Sequence, residues 1–135
     1  MWVDDHIFDD WWENKEHIEK ASTFGTNINV HFIPKSNTQS ALKFLRSEFG
    51  KRLTHSKTFR IMTDMHRENE SPSDNAGARF IYEVRKLGFN HPCLVFTIDQ
   101  HVANEKVAAV FHNEAHIGIE VTQSDIKLEE FVTFK

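Results

Sequence analysis

Five short apolar segments alternate along the chain with five segments whose apolar residues recur at helical spacing. Because a helix-like segment follows each apolar one, successive strands must be joined by crossover connections, and such connections are right-handed. The alternation therefore predicts an α/β domain of three layers, with a parallel five-stranded sheet between two layers of helices. The expected strands are Met1–Val3, Ile28–Ile33, Phe59–Asp64, Cys93–Thr97 and Ala115–Val121.

Start and stop signals mark the helices between these strands. Acidic residues favour the amino end of a helix dipole, side chains such as those of Ser36, Asn37 and Thr38 cap that end, and glycine commonly follows the last turn. The expected helices are Asp9–Lys20, ended by Phe24-Gly25; a second helix that buries Leu42, Leu45 and Phe49 and stops at Gly50; Gly77–Leu87, capped by Gly88; Val102–His112; and a closing helix that Asp125 caps and that contains Leu128, Phe131 and Val132.

Two connecting features complete this prediction. The alternating segment Ile28–Ile33 stops at Pro34, and because proline lacks a backbone N–H we expect this strand near an edge of the sheet. The segment from His66 to Asn75 contains Pro72, many charges and no apolar side chain. It is longer than most connections, so we expect a loop with a functional role.

Composition limits the class of protein. The 135 residues suffice for one domain, residues 1–135, and the short segment before the first acidic pair suggests a domain excised from a longer protein. The only cysteine, Cys93, lies in an apolar run and is expected to be a reduced core residue of a cytoplasmic protein. The net charge of -4 and the scattered basic residues predict no nucleic-acid partner, and no apolar run is long enough to predict a membrane span.

Three of the expected strands end on side chains that carry oxygen. Asp4 and Asp5 follow the first strand, Asp64 ends the third, and Thr97 ends the fourth. The carboxyl ends of parallel strands share one edge of the sheet, where ligands bind in open α/β folds. Carboxylates are hard ligands that suit Mg²⁺, and a hydroxyl can bond a phosphate oxygen. These residues therefore predict a pocket for a divalent cation and a phosphoryl group.

The order of these elements resembles the receiver domain of two-component response regulators over nearly the whole chain. Trp2-Val3-Asp4-Asp5 is similar to the family's acidic pair after strand one, Met62-Thr63-Asp64-Met65 to its phosphoacceptor segment, and Phe96-Thr97 to the end of its fourth strand. The helix that begins near Gly77 resembles the family's third helix. The resemblance implies a (βα)5 flavodoxin-like fold with strand order 2-1-3-4-5.

The resemblance also implies a role for each residue of the pocket. Asp64 would be the phosphoacceptor, and Thr97 would hydrogen-bond a phosphoryl oxygen. Asp4, Asp5, Asp64 and the backbone carbonyl of His66 would hold Mg²⁺. The domain would then be no enzyme in its own right but a signalling domain in a phosphorelay.

Partners follow from the same resemblance. A histidine kinase or phosphotransfer protein would donate the phosphoryl group, and adjoining effector domains would read the signal. In the family the contact surface is formed by the fourth helix, fifth strand and fifth helix, which correspond here to residues from Val102 to Phe131. A homodimer is a further expectation for this kind of domain.

One element of the family pattern is missing. Receiver domains carry a lysine at the end of strand five, but no lysine occurs between Gly118 and Asp125, and Lys127 falls in the expected last helix. Phosphoryl transfer needs positive charge near the phosphate oxygens, so the metal alone would supply it unless Arg67 reaches back. The alternative is a pseudo-receiver that acts as a phosphorylation-independent interaction or dimerisation module. A metal-dependent hydrolase is disfavoured because no general base lies beside Asp64.

Two other pairs of residues have side chains that suit a binding site. His112 and His116 have a spacing that can bind zinc on a helix, but they lie at a helix end, and we interpret them as solvated histidines. Trp11 and Trp12 could form a partner-binding patch. We expect one of the two tryptophans to belong to the core instead.

Overall fold

The computed structural model describes residues 1–23, 30–112 and 116–134, and its strands form a five-stranded parallel sheet. The strand order is β2-β1-β3-β4-β5, and every neighbouring pair is parallel. This confirms both the predicted α/β class and the order 2-1-3-4-5. The strands are β1 (Trp2–Val3), β2 (Pro34–Lys35), β3 (Ile61–Thr63), β4 (Cys93–Phe96) and β5 (Ile119–Thr122).

Helices cover both faces of the sheet because successive strand residues point to opposite sides. Val3, Ile61 and Val95 pack with α2, α4 and α5, whereas Trp2 and Met62 pack with residues of α1 and α6. The helices are α1 (Lys15–Thr23), α2 (Thr38–Arg46), α3 (Glu48–Arg52), α4 (Ala76–Lys86), α5 (Gln100–Val110) and α6 (Asp125–Val132), and one turn of 3-10 helix spans Leu53–His55.

The predicted second strand was wrong in position. Residues 24–29 lie outside the described residues, residues 30–33 are not a strand, and β2 contains Pro34 instead of stopping before it. Proline is tolerated here because β2 offers carbonyls to β1. The backbone N–H groups of Trp2 and Asp4 donate to the carbonyls of Ile33 and Lys35, both at 3.0 Å. On the side of β2 that faces away from β1, a residue other than proline would leave its N–H without a strand partner. Pro34 has no N–H, so it suits the edge position that was expected.

The predicted second helix is two helices. Ser47 breaks it, because its backbone N–H donates to the carbonyl of Phe44 and its hydroxyl then caps α3 by accepting the N–H of Gly50. Gly50 is therefore inside α3 and is not a stop signal. A Cβ at Gly50 would lie 2.0 Å from the carbonyl oxygen of Phe44, so the close approach of the two helices requires glycine. Phe49, predicted to be buried, lies on the exposed side of α3.

The first helix starts later than predicted, at Lys15 rather than Asp9. The segment before it forms turns because Trp12 is buried and packs edge-to-face on Trp2, with ring centroids 4.8 Å apart. Trp11 is exposed, which confirms that one tryptophan of the pair belongs to the core. The predicted stop at Phe24-Gly25 lies outside the described residues.

The remaining elements lie within a few residues of their predicted bounds where these can be compared, and the predicted start of the fifth strand, Ala115, lies outside the described residues. Gly88 follows α4 with a φ of 94°, as its predicted capping role requires. Ser124, not Asp125, caps α6 by accepting the N–H of Lys127. The fifth strand begins at Ile119, after a turn in which Gly118 has a φ of 78°. Within the described residues, the helices are too short or too polar to cross a membrane.

The boundary at Ser47 can be tested with two substitutions. Leu45→Ala removes a side chain that is 1% exposed and should lower the free energy of unfolding by about 2–5 kcal/mol, because it leaves a cavity. Phe49→Ala truncates a side chain that is 61% exposed and should cost less than about 1 kcal/mol. Urea unfolding of both variants measures the difference. Equal costs would mean that Phe49 is a core residue, as in one continuous helix.

Candidate functional site

Strand register brings the three predicted acidic residues together. Val3 of β1 pairs with Thr63 of β3, so the residues that follow them, Asp4 and Asp64, lie side by side at the carboxyl edge of the sheet. One carboxylate oxygen from each of Asp4, Asp5 and Asp64 lies within 4.8 Å of the other two. We call this group the acidic pocket. Its carboxylates are close enough to share one metal ion.

Backbone groups orient two of these carboxylates. Oδ1 of Asp4 accepts the N–H of His6 at 2.9 Å, and Oδ2 of Asp5 accepts the N–H of Glu68 at 2.9 Å. Burial raises the pKa of Asp4, and the N–H of His6 opposes that rise. The bond from Glu68 ties the loop after β3 to the end of β1, so the loop helps to hold the pocket together.

Arg67 lies next to Asp64 and is completely buried. Its Nη1 donates to Oδ1 of Asp64 at 2.6 Å and to the hydroxyl of Thr63 at 2.7 Å. The arginine therefore does reach back to the candidate phosphoacceptor, as the sequence left open. Arg67 does not line the cleft in front of the pocket, so it supports Asp64 from within the protein.

The other side of the guanidinium is equally well bound. Nη2 donates to the hydroxyl of Thr38 at 2.6 Å and to the carbonyl of Ala76 at 3.1 Å, and Nε donates to Oε2 of Glu70. A guanidinium has five N–H groups, and each of those of Arg67 thus has an acceptor. Asp64, Arg67 and Glu70 are spaced three residues apart, and Arg67 and Glu70 lie in the predicted loop from His66 to Asn75. This spacing is the sequence signal that could have indicated the group.

Burial raises the pKa of Asp64 to about 8, although the guanidinium of Arg67 opposes the rise. The negative charges of Asp4 and Asp5 act in the same direction as burial. A metal ligand must be deprotonated, so a cation that binds here has to displace the proton of Asp64. The pocket is thus a place where added positive charge is favourable.

Gly77 allows α4 to start directly against Asp64. A Cβ at Gly77 would lie 1.9 Å from the carbonyl oxygen of Asp64, and its N–H donates to the carbonyl of Met65 at 2.9 Å. The connection between β3 and α4 is a loop, as predicted, and the N–H of Arg67 donates within it to the carbonyl of Ser73 at 3.0 Å. These contacts fix the backbone on both sides of the ion pair.

An open cleft of about 1000 Å³ lies in front of the acidic pocket. Thr97 and His66 line this cleft together with the three acids, so all the residues predicted for the site surround one space. The backbone N–H of Thr97 donates to the carbonyl of Thr122 at 3.0 Å, which places it at the end of β4 beside β5. A phosphoryl group could be contained in a cleft of this size.

The predicted lack of a lysine at the end of β5 is confirmed. Gln123 follows β5 and lines the cleft, while Lys127 lies on α6 and pairs with Glu120 at 3.4 Å. Lys106 of α5 is the one lysine among the described residues that line the cleft. Sequence reasoning missed this lysine because α5 was interpreted only by its apolar side.

Metal-binding groups outside the acidic pocket are few. In the described part of the chain, the one other set of suitable side chains is Asp5, His6 and Glu68, which shares Asp5 with the pocket. Neither group contains His112 or His116. The interpretation of these two histidines as non-ligands is consistent with this result for the residues that the structure describes.

The raised pKa of Asp64 predicts a pH dependence of stability. Because the folded pKa of about 8 exceeds the ordinary value of 3.8, the folded state binds an extra proton between these values. The associated stabilisation is fully present below the lower value and is lost as pH rises through the upper one. Urea unfolding at steps of pH should therefore show that the free energy of unfolding of the wild type falls between about pH 4 and pH 8. In Asp64→Asn this fall should be smaller.

Asp74→Asn is the matched control, because Asp74 is an exposed acid in the same loop. The free energy of unfolding of this variant should depend on pH in the same way as that of the wild type. If Asp64→Asn and Asp74→Asn gave the same curve, Asp64 would have an ordinary pKa in the folded protein.

The fold and the acidic pocket were compared with known proteins. No family model, curated protein or solved structure matches the chain. The geometry of the pocket, in which Asp4, Asp5 and Asp64 meet and Arg67 holds Asp64 from the side opposite the cleft, is therefore the basis for a functional proposal.

Proposed function

We propose that this is a receiver-like signalling domain whose acidic pocket binds Mg²⁺ and whose Asp64 accepts a phosphoryl group. The observation that carries the proposal is the approach of Asp4, Asp5 and Asp64 within 4.8 Å at one edge of a 2-1-3-4-5 sheet. Ligands of such sheets bind outside the carboxyl ends of the strands. The acids lie at that position, and Thr97 lines the same cleft.

The chemistry of the donor set fits a small divalent cation. Asp4, Asp5 and Asp64, with the backbone carbonyl of His66, would supply oxygen ligands of the kind that Mg²⁺ prefers. Asp64 pairs with the guanidinium of Arg67, which Glu70 also shares. The three carboxyl groups of the acidic pocket therefore carry more negative charge than this guanidinium offsets when all are ionised. When bound, the cation supplies charge neutralisation for phosphoryl oxygens.

Arg67 decides which oxygen of Asp64 is the nucleophile. Its guanidinium holds Oδ1, whereas Oδ2 of Asp64 accepts no hydrogen bond from the described residues. We infer that Oδ2 attacks the phosphorus of a phosphohistidine donor. A P–O bond forms as the donor's P–N bond breaks, and the electron pair stays on the imidazole nitrogen. The hydroxyl of Thr97 would then donate to a phosphoryl oxygen.

A second candidate function is favoured by the same arginine. Each N–H of Arg67 already has an acceptor, and β5 ends without a lysine, so the described residues offer few free cations for a phosphoryl group. A pseudo-receiver would use the ion pair as a permanent structural contact. It would act through protein interaction or dimerisation without phosphorylation.

An NMR titration distinguishes the two functions. Mg²⁺, alone and then with beryllofluoride as a mimic of the acyl phosphate, should shift the amide signals of Asp4, Asp5, Asp64 and Thr97 in a saturable manner. Asp64→Asn should lose the beryllofluoride response because it lacks the anionic oxygen. The exposed variant Asp74→Asn should respond like the wild type.

The absence of any response at millimolar Mg²⁺ and beryllofluoride would contradict the proposed receiver function and favour the pseudo-receiver. A response to Mg²⁺ without one to beryllofluoride would retain the metal site but remove Asp64 as the phosphoacceptor.

A further inference from the structure

A continuous set of hydrogen bonds connects the acidic pocket to the start of α2. Arg67 bonds Asp64 on one side and Glu70 on the other, and Oε2 of Glu70 accepts the backbone N–H of Thr38 at 3.0 Å. The hydroxyl of Thr38 also accepts from Arg67. Thr38 is the first residue of α2, so one guanidinium holds both the candidate phosphoacceptor and a helix terminus.

The loop and the segment before α2 are joined by a second contact. Nδ2 of Asn69 donates to the carbonyl of Ser36 at 2.9 Å. The loop 66–75 and residues 36–38 therefore form one surface, which we call the α2 surface. It lies at the β2 side of the sheet and is separate from the Val102–Phe131 region that the family resemblance implied.

The guanidinium is shielded from water, which makes its contacts sensitive to charge. Arg67 is completely buried, and the side chains of Asp64 and Glu70 are 16% and 12% exposed. Burial tends to raise the pKa of Glu70, but the N–H of Thr38 and the guanidinium outweigh it and lower this pKa overall. Interactions among such charges are stronger than at the surface, because little water screens them.

We propose that Arg67 transmits occupation of the acidic pocket to the α2 surface. A divalent cation on Asp64 and the guanidinium on the same carboxylate repel each other. Cation binding therefore shifts the interactions of Arg67 from Asp64 towards Glu70 and Thr38, and the loop packs more tightly on the start of α2. This inference rests on the metal site proposed above, and it assigns the α2 surface as the region whose order reports the state of the pocket.

Thermodynamic linkage makes the coupling reciprocal: cation binding changes the contacts of Arg67 with Glu70, and these contacts change the affinity for the cation. If the cation strengthens the contacts of Arg67 with Glu70, then loss of the Glu70 charge must weaken cation binding. Arg67 would rely more on Asp64 and would compete more strongly with the cation. A residue outside the acidic pocket and its cleft would thus change the affinity of the pocket for a metal.

The test compares the Mg²⁺ affinity of three variants with that of the wild type at pH 8.5. Binding is measured from the changes in the amide chemical shifts of Asp4 and Asp5. Glu70→Gln should raise the Kd for Mg²⁺ by about fivefold or more, the usual lower range of coupling between sites. Glu83→Gln removes the same charge from α4, where Glu83 pairs with Lys86, and should stay within about twofold of the wild type. Thr38→Val removes one acceptor of Arg67 without a change of charge and should give a smaller loss of affinity.

Amide exchange supplies a second readout. In the wild type, Mg²⁺ should slow the exchange of the Thr38 N–H several-fold, because its acceptor Glu70 is held more firmly. In Glu70→Gln this response should disappear. If that variant does not fold, the exchange of Thr38 in the wild type and the affinity of Thr38→Val decide the question.

The outcomes separate the inference from the function on which it rests. If Mg²⁺ binds but Glu70→Gln keeps the wild-type affinity and Thr38 exchange does not respond, the transmission by Arg67 is overturned and the metal site stands. If the amides of Asp4, Asp5 and Asp64 do not respond to Mg²⁺ in the wild type, both the metal site and the transmission are wrong.

Discussion

The buried ion pair between Arg67 and Asp64 is the interaction on which the site depends. A charged guanidinium with no exposed surface is stable only where its N–H groups and its charge are satisfied. Glu70 and, when it is ionised, Asp64 supply the charge. Thr63, Thr38 and Ala76 supply the remaining acceptors, so Arg67 joins β3, its following loop and α2.

The parallel sheet places this ion pair beside two further carboxylates. β1 and β3 are neighbours in register, and for this reason Asp4 and Asp5 meet Asp64 at one edge. Gly77 then lets α4 begin in contact with the backbone of Asp64. Arg67 approaches Asp64 from inside while the cleft opens on the other side, so the carboxylate lies between a fixed cation and a space that can accept a second one.

Much of the fold could be predicted from the sequence because it depends on patterns that recur along the chain. Alternation of apolar runs with helical spacing indicated the class, and the family resemblance implied the strand order. The errors occurred where tertiary contacts override a local signal. Pro34 lies within β2 because the N–H groups of Trp2 and Asp4 donate to the carbonyls of Ile33 and Lys35, a pairing that requires no N–H at Pro34. The burial of Trp12 keeps the segment before α1 in turns.

The site was predictable to a different extent. Asp4, Asp5, Asp64 and Thr97 follow strands, and strand ends can be located from apolar runs. The contact of Arg67 with Thr38 joins residues far apart in the sequence, and that with Ala76 depends on how the loop folds back at the start of α4. Neither Thr38 nor Ala76 carries a sequence signal for such a contact. Lys106 faces the cleft from α5, and its orientation follows from the packing of that helix on the sheet, which periodicity alone does not determine.

The proposed function depends above all on the binding of one divalent cation among Asp4, Asp5 and Asp64. Paramagnetic Mn²⁺, which takes the same oxygen ligands as Mg²⁺, tests this claim most directly, because it broadens the amide signals of nearby residues. We predict that substoichiometric Mn²⁺ broadens the signals of Asp4, Asp5, Asp64 and Met65 before others, and that excess Mg²⁺ restores them. Broadening confined to exposed acids elsewhere, or no competition by Mg²⁺, would contradict a metal site in the acidic pocket.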